Sequence, residues 1–218
     1  MDIKVNERTV IVFDLDDTLF NEIDYLRSAY IYIAQKIDLE NWELLFTKMF
    51  SLYRHKEDVF EIISKTYGYE KKSLISLYRE HKPKILPFKG VVDLLKKIKE
   101  KKGKIALITD GRAVTQKAKL IALGIFDLFD KLVISETLGT EKPHQDNFLA
   151  IEQVYQNHIY FYIADNFRKD FITPNKLGWQ TVGLIDNGLN IHYDSHKFST
   201  EVYKPKNLVM NIQEIKVI

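Results

Sequence analysis

Five short apolar runs punctuate the chain: Thr9–Phe13, Lys104–Thr109, Lys131–Ile134, Ile159–Ala164 and Gln180–Leu184. Each is dense in Val, Ile, Leu or aromatic side chains and gives way to polar residues, the pattern of a buried strand. Helical patterns separate them. Phe88, Val91, Val92, Leu95 and Ile98 share one face before Gly103, residues 115–123 form a further helix closed by Gly124, and His144 starts a helix carrying Phe148, Leu149, Ile151 and Val154. Another helix ends at Gly178, and residues 208–212 offer an edge strand. Strand and helix in alternation predict an α/β fold, a doubly wound, mainly parallel sheet with helices on both faces.

Residues 21–81 break that alternation. They hold a single glycine, Gly68, and no proline. Tyr25, Leu26, Ala29, Tyr30, Ile33 and Ala34 follow three-and-four spacing, as do Trp42, Leu45, Phe46, Met49, Phe50 and Tyr53. Two shorter helices are expected over 57–66 and 71–82, before Pro83 and Pro87 mark the return to strand and helix. The chain is therefore expected to comprise a core of residues 1–20 and 87–218 with a helical insertion of residues 21–86.

Composition narrows the class. A chain of 218 residues with 45% hydrophobic content can bury a sizeable core. Its 32 basic and 30 acidic residues leave a formal charge of +2, which provides no field for recruiting nucleic acid or an anionic membrane. There is no cysteine, so thiol catalysis, disulfides and sulfur-based zinc sites are excluded. No apolar run approaches the roughly 20 residues of a membrane span, and the N-terminal residues lack a signal-peptide core. A cytoplasmic location is expected; monomer and homodimer stay open.

The chemistry concentrates at strand ends. The first run breaks into Asp14-Leu15-Asp16-Asp17-Thr18, and crowded carboxylates raise one another's pKa unless a cation compensates. Oxygen donors of this kind suit Mg²⁺ shared with a phosphate. One Asp could be explained by an Asx-turn, but not three. A calcium loop would need Gly and Glu where Leu19 and Tyr25 stand. The second strand ends in Thr109-Asp110-Gly111-Arg112. Asp-Gly is a hairpin signal, yet a helix follows, and a hydroxyl with amides facing a helix N-terminus can hold phosphate. His192 and His196 are four apart but lack a helical apolar pattern, so they are read as surface residues.

Asp14-x-Asp16-x-Thr18 after a strand resembles the first motif of the haloacid dehalogenase-like (HAD) hydrolase superfamily. Thr109-Asp110-Gly111 is similar to its second motif, Ser135-Glu136 through Lys142-Pro143 to its third, and Asp165 with Asp170 to its fourth, although Ala164 stands where Gly is common. The resemblance implies Asp14 as nucleophile, Asp16 as acid and base, and Lys142 bridging nucleophile and phosphoryl group. Thr109, Asp110, Gly111 and Lys142 would bind phosphate, while Asp14, Asp16 (through its carbonyl) and Asp165 would hold Mg²⁺, supported by Thr18 and Asp170. The insertion resembles the superfamily's small helical cap. The implied activity is Mg²⁺-dependent hydrolysis of a small phosphomonoester, a sugar phosphate, nucleotide or related metabolite, through an aspartyl-phosphate. A phosphomutase, a 2-haloacid dehalogenase and a non-catalytic binding protein are the alternatives. The cap aromatics could stack on a nucleobase or flavin, but a stripe at helical spacing is more often subdomain core, and Arg27, Arg54, His55 and Lys56 are candidate contacts for an anionic substrate.

Overall fold

The computed structural model describes residues 1–218. In chain order the elements are β1 (Asp2–Ile3), β2 (Thr9–Phe13), α1 (Glu22–Ile37), α2 (Trp42–Arg54), α3 (Val59–Tyr67), α4 (Lys71–Glu80), α5 (Val91–Glu100), β3 (Lys104–Thr109), α6 (Ala113–Ala122) and β4 (Lys131–Ile134). They continue with α7 (Ser135–Leu138), α8 (Gln145–Glu152), β5 (Ile159–Ala164), α9 (Ile172–Lys176), β6 (Gln180–Leu184), β7 (Asn207–Val209) and β8 (Lys216–Val217). The chain divides into two compact units, Met1–Glu22 with Leu86–Ile218, and Ile23–Ile85.

The first unit is built on a six-stranded sheet of order β4-β3-β2-β5-β6-β7, with every pairing parallel. All five residues of β2 are buried, as a parallel strand covered on both faces requires. Val10 and Val12 of β2 pack with Ala106, Ile108, Tyr162 and Ala164 against Phe148, Ile151 and Trp179. Because β2 pairs with β3 on one side and β5 on the other, the chain reverses its direction of winding there. Ligand crevices in open α/β sheets form at such switch points, outside the carboxyl ends of the strands.

The second unit has its own core of Leu26, Tyr30, Ile33, Ala34, Leu45, Met49, Val59, Ile63 and Leu74. Its aromatic stripe mostly serves that core: Tyr25 and Tyr30 are buried, Trp42, Phe46 and Tyr53 pack on the cluster, and the Arg27 guanidinium lies 5.8 Å from the Phe50 ring centre. Arg54, His55 and Lys56 are exposed.

Several boundaries differ from the sequence expectation. Helix α5 starts at Val91 because Gly90 before it is left-handed (φ 91°), and Leu94, rather than Val92, completes its buried face. Helix α6 starts at Ala113, and α8 stops at Glu152, which leaves Val154 52% exposed. The edge strand is Asn207–Val209, with Ile212 in a separate 3-10 turn. No helix is long and apolar enough to cross a membrane.

Gly183 shows how tightly the sheet is covered. A Cβ there would stand 2.6 Å from Pro205 Cγ and 2.9 Å from Leu208 Cδ2. Gly183→Ala should therefore destabilise the protein by about 1–3 kcal/mol through overpacking. A urea melt reads this, and an unchanged midpoint would mean that the 205–208 segment moves aside at no cost.

Candidate active site

The site starts where β2 ends. Asp14 leaves the strand with its amide still bonded to Ile163 O at 3.0 Å, and the chain then turns so that Leu19 N reaches Leu15 O at 2.9 Å. Asp17 sits in the turn at φ 54°, a conformation that Asp tolerates better than most residues. Its buried carboxylate accepts from Glu22 N, at the start of α1, and from Ile191 N, both at 2.8 Å. The third acid of the motif thus acts as a clamp between two loops.

Lys142 lies beneath Asp14. Its ammonium is 2.7 Å from Asp14 Oδ1 and 2.7 Å from Asp170 Oδ1, and it donates to the Tyr162 hydroxyl at 3.2 Å. Both oxygens of Asp170 have further donors, Tyr162 OH on Oδ1 at 3.1 Å and Asn166 N on Oδ2 at 3.0 Å. Asp165 accepts from Thr18 Oγ1 at 3.2 Å and from Asn190 Nδ2 at 2.9 Å. Asp14, Asp165 and Asp170, all buried, each bring one carboxylate oxygen to within 4.8 Å of the others. Three clustered carboxylates against a single ammonium make an anionic, all-oxygen donor set that fits a hard divalent cation.

Asp16 points elsewhere. Lys119 Nζ is 2.6 Å from its Oδ1 and Gln116 Nε2 is 3.1 Å from its Oδ2, with both partners on α6. The same Gln116 amide donates to Thr109 Oγ1 at 2.5 Å and to Asp110 O at 2.8 Å. Asp110 spends its carboxylate on the Lys142 amide at 3.0 Å and the Lys169 ammonium at 2.6 Å. Gly111 gives its N–H to Ser135 Oγ at 2.8 Å and lines a different cleft, with Arg112 and Thr140.

Electrostatics follow from this crowding. Burial pushes the Asp14 carboxyl up to about 7, against the pull of Lys142. Asp165 is raised well above the ordinary carboxylate range by burial, then by Asp14 and Asp170. Burial alone would lower Lys142, but Asp14 and Asp170 carry it well above its ordinary value and keep it cationic. For Asp110, Lys142 and Lys169 overcome the burial and hold the carboxyl low.

A cavity of about 120 Å³ opens among Asp14, Asp16, Asp17, Thr109, Asp110 and Asp165, with Glu22, Asn166, Lys169 and His192 completing its walls. Of the residues expected from sequence, Asp14, Asp16, Thr109, Asp110 and Asp165 line it, Lys142, Asp170 and Thr18 support it from behind, and Gly111 lies outside it. Sequence reasoning missed Gln116, Lys119, Lys169, Asn190 and Glu22. His192, read as a surface histidine, is exposed, and it also borders the cavity because Asn190 and Ile191 anchor its loop to Asp165 and Asp17. The signal available for Gln116 and Lys119 was their spacing, three apart, directly after the Thr109 strand end.

Residues 11–184 match the haloacid dehalogenase-like hydrolase family. The chain belongs to that family. Among the relatives of this hydrolase, the glyceraldehyde 3-phosphate phosphatase of Methanocaldococcus jannaschii is 29% identical, over 80% of this chain and 84% of its own. The pyrimidine 5'-nucleotidase YjjG of Escherichia coli is 32% identical over 60% of this chain and 55% of its own. Among solved structures, the HAD-hydrolase YfnB of Bacillus subtilis bound to magnesium superposes with a TM-score of 0.63 at 21% identity, covering 96% of both chains. That last likeness is one of fold.

A cation that replaces protons in the acid cluster should stabilise the hydrolase more as pH rises, because protons and metal compete for the same oxygens. Since the Asp14 carboxyl is raised to about 7, Mg²⁺ should increase the melting temperature clearly at pH 8 and only weakly at pH 6. Saturation to about 100 times Kd corresponds to about 2.7 kcal/mol. Thermal melts of the wild type and Asp165→Asn test this, and the variant should lose the shift.

Proposed function

We propose that this enzyme is a Mg²⁺-dependent phosphatase that hydrolyses a small phosphomonoester through an aspartyl-phosphate on Asp14. That it is a phosphatase of the haloacid dehalogenase-like family rests on its family match and its phosphatase relatives. The observation that carries the mechanism is the buried Lys142 ammonium bridging Asp14 and Asp170 beside Asp165, at the switch point of the sheet.

Asp14 is the nucleophile: its oxygen forms the bond to phosphorus as the ester oxygen departs, the covalent catalysis open to a carboxylate. Asp16 gives the departing oxygen a proton and then takes one from the water that attacks the phosphoenzyme, alternating between acid and base. Lys142 stays cationic throughout and offsets charge on Asp14 and the phosphoryl group. Thr109 supplies a hydroxyl at the cavity wall for a phosphoryl oxygen, with Asp110 holding the Lys142 loop. Asp14, Asp165 and the Asp16 carbonyl would hold Mg²⁺, with Asp170 and Thr18 fixing their surroundings. When bound, the ion neutralises and orients phosphate oxygens.

The substrate is a small phosphorylated metabolite. Glyceraldehyde 3-phosphate, on which the archaeal relative acts, and pyrimidine 5'-nucleotides, on which the bacterial one acts, bracket the class. The helical unit, residues 23–85, is read as the family's cap and the source of the choice between such esters.

Phosphate release from a panel of phosphorylated metabolites, with and without Mg²⁺, tests the proposal. Asp14→Asn should lower metal-dependent release by about 10³-fold or more, as loss of a nucleophile does. Release that persists in the variant would remove the aspartyl-phosphate, and transfer to a sugar hydroxyl instead of water would make the enzyme a mutase.

A further inference from the structure

Helix α6 is turned against the hydrophobic expectation where it passes the site. Val114 is 61% and Ile121 64% exposed, whereas Gln116 is 2% and Lys119 4% exposed. Burying two long polar side chains while two β-branched ones stand in water is unfavourable unless the buried heads are fully engaged. Gln116 and Lys119 stand three apart on the face that Leu120 and Leu123 continue into the core. Both engage the same group, Lys119 on Asp16 Oδ1 and Gln116 on Oδ2, while the Lys119 ammonium also lies 5.8 Å from the Phe20 ring centre. Asp16 sits on a loop with 19% of its side chain exposed, so without this grip its carboxylate could rotate among rotamers.

We propose that Lys119 and Gln116 are positioning residues for Asp16, holding its carboxyl in the orientation from which it exchanges protons with the leaving oxygen and the attacking water. The inference rests on the acid/base reading of Asp16 above. In the first half-reaction the P–O ester bond breaks, its electron pair stays on the departing oxygen, and the proton on the Asp16 carboxyl moves there, while Oδ1 still accepts from Lys119. In the second half the carboxylate takes a proton from water as the water oxygen bonds to phosphorus and the P–O bond to Asp14 breaks, its electron pair returning to the Asp14 carboxylate. Lys119 keeps its protons in both halves. Since one Gln116 amide bonds both Asp16 and Thr109, α6 sets the acid/base group and a phosphate-binding hydroxyl in a single register.

The test compares kcat/KM for an alkyl phosphate, whose leaving oxygen needs a proton, with that for 4-nitrophenyl phosphate, whose leaving group needs little help. Asp16→Asn should lower the alkyl-to-aryl ratio by about 100-fold or more, the usual share of a general acid. Lys119→Met should lower the same ratio by about tenfold, the scale of a misplaced catalytic group. Lys119→Arg, which keeps the charge, should recover part of that loss, and it carries the test if Lys119→Met does not fold. Ile121→Gln, on the exposed face of α6, should leave the ratio unchanged. An equal fall on both substrates in the Lys119 variants, with Asp16→Asn still selective, would make Lys119 a structural residue and overturn the proposal. A ratio unmoved in Asp16→Asn itself would instead overturn the acid/base reading, and the proposal with it.

Discussion

Everything at this site depends on one buried cation. Lys142 has its ammonium between Asp14 and Asp170, and all three residues are buried. In such surroundings an ammonium and two carboxylates are tolerable only together, since removing any one leaves an uncompensated charge away from water. The loops that carry them are therefore held to a common geometry. Asp110 fixes the Lys142 main chain, Tyr162 reaches from the core face of β5 to both Lys142 and Asp170, and Asn166 N closes the loop after β5 onto Asp170. Excess negative charge remains after this pairing, and it is this excess that suits the cluster to a divalent cation and a phosphoryl group.

The sheet supplies the platform. Parallel strands deliver their carboxyl ends to one edge, and the reversal at β2 leaves the crevice there unfilled by a crossover helix. Loops that look unrelated in the chain converge on it. The loop after β6 is an example: Asn190 and Ile191 bind Asp165 and Asp17, which turns a polar stretch without periodicity into part of the cavity wall. Asp17 has a corresponding role, because burial raises its carboxyl to about 6 and two amides then hold it. Its presence beside Asp14 and Asp16 is explained by loop anchoring.

The helical unit answers to different constraints. Tyr30, Tyr53, Phe60 and Tyr78 pair edge to face within it, a geometry that favours a small, self-sufficient core. Its aromatic richness therefore needs no ligand to account for it.

The amino-acid sequence by itself determined the strands and the acids at their ends. Apolar runs of four to six residues form the parallel strands, buried throughout in β2 and over the carboxyl-terminal residues of β3, β4, β5 and β6, so their pattern is local and their ends are sharp. The four motifs were legible for the same reason, as each lies at or just after such an end. Helix limits were less legible, because Gly90 and the residues after Glu152 respond to packing that no local window contains. Only the tertiary structure decided which polar residues serve the site. Gln116 and Lys119 gain their part only when α6 is laid against Asp16, and His192, exposed as expected, borders the cavity only because its loop is tied to Asp165 and Asp17. Hydrogen bonds and ion pairs between residues about a hundred positions apart leave no periodicity in the chain, since each partner is chosen by distance in space alone.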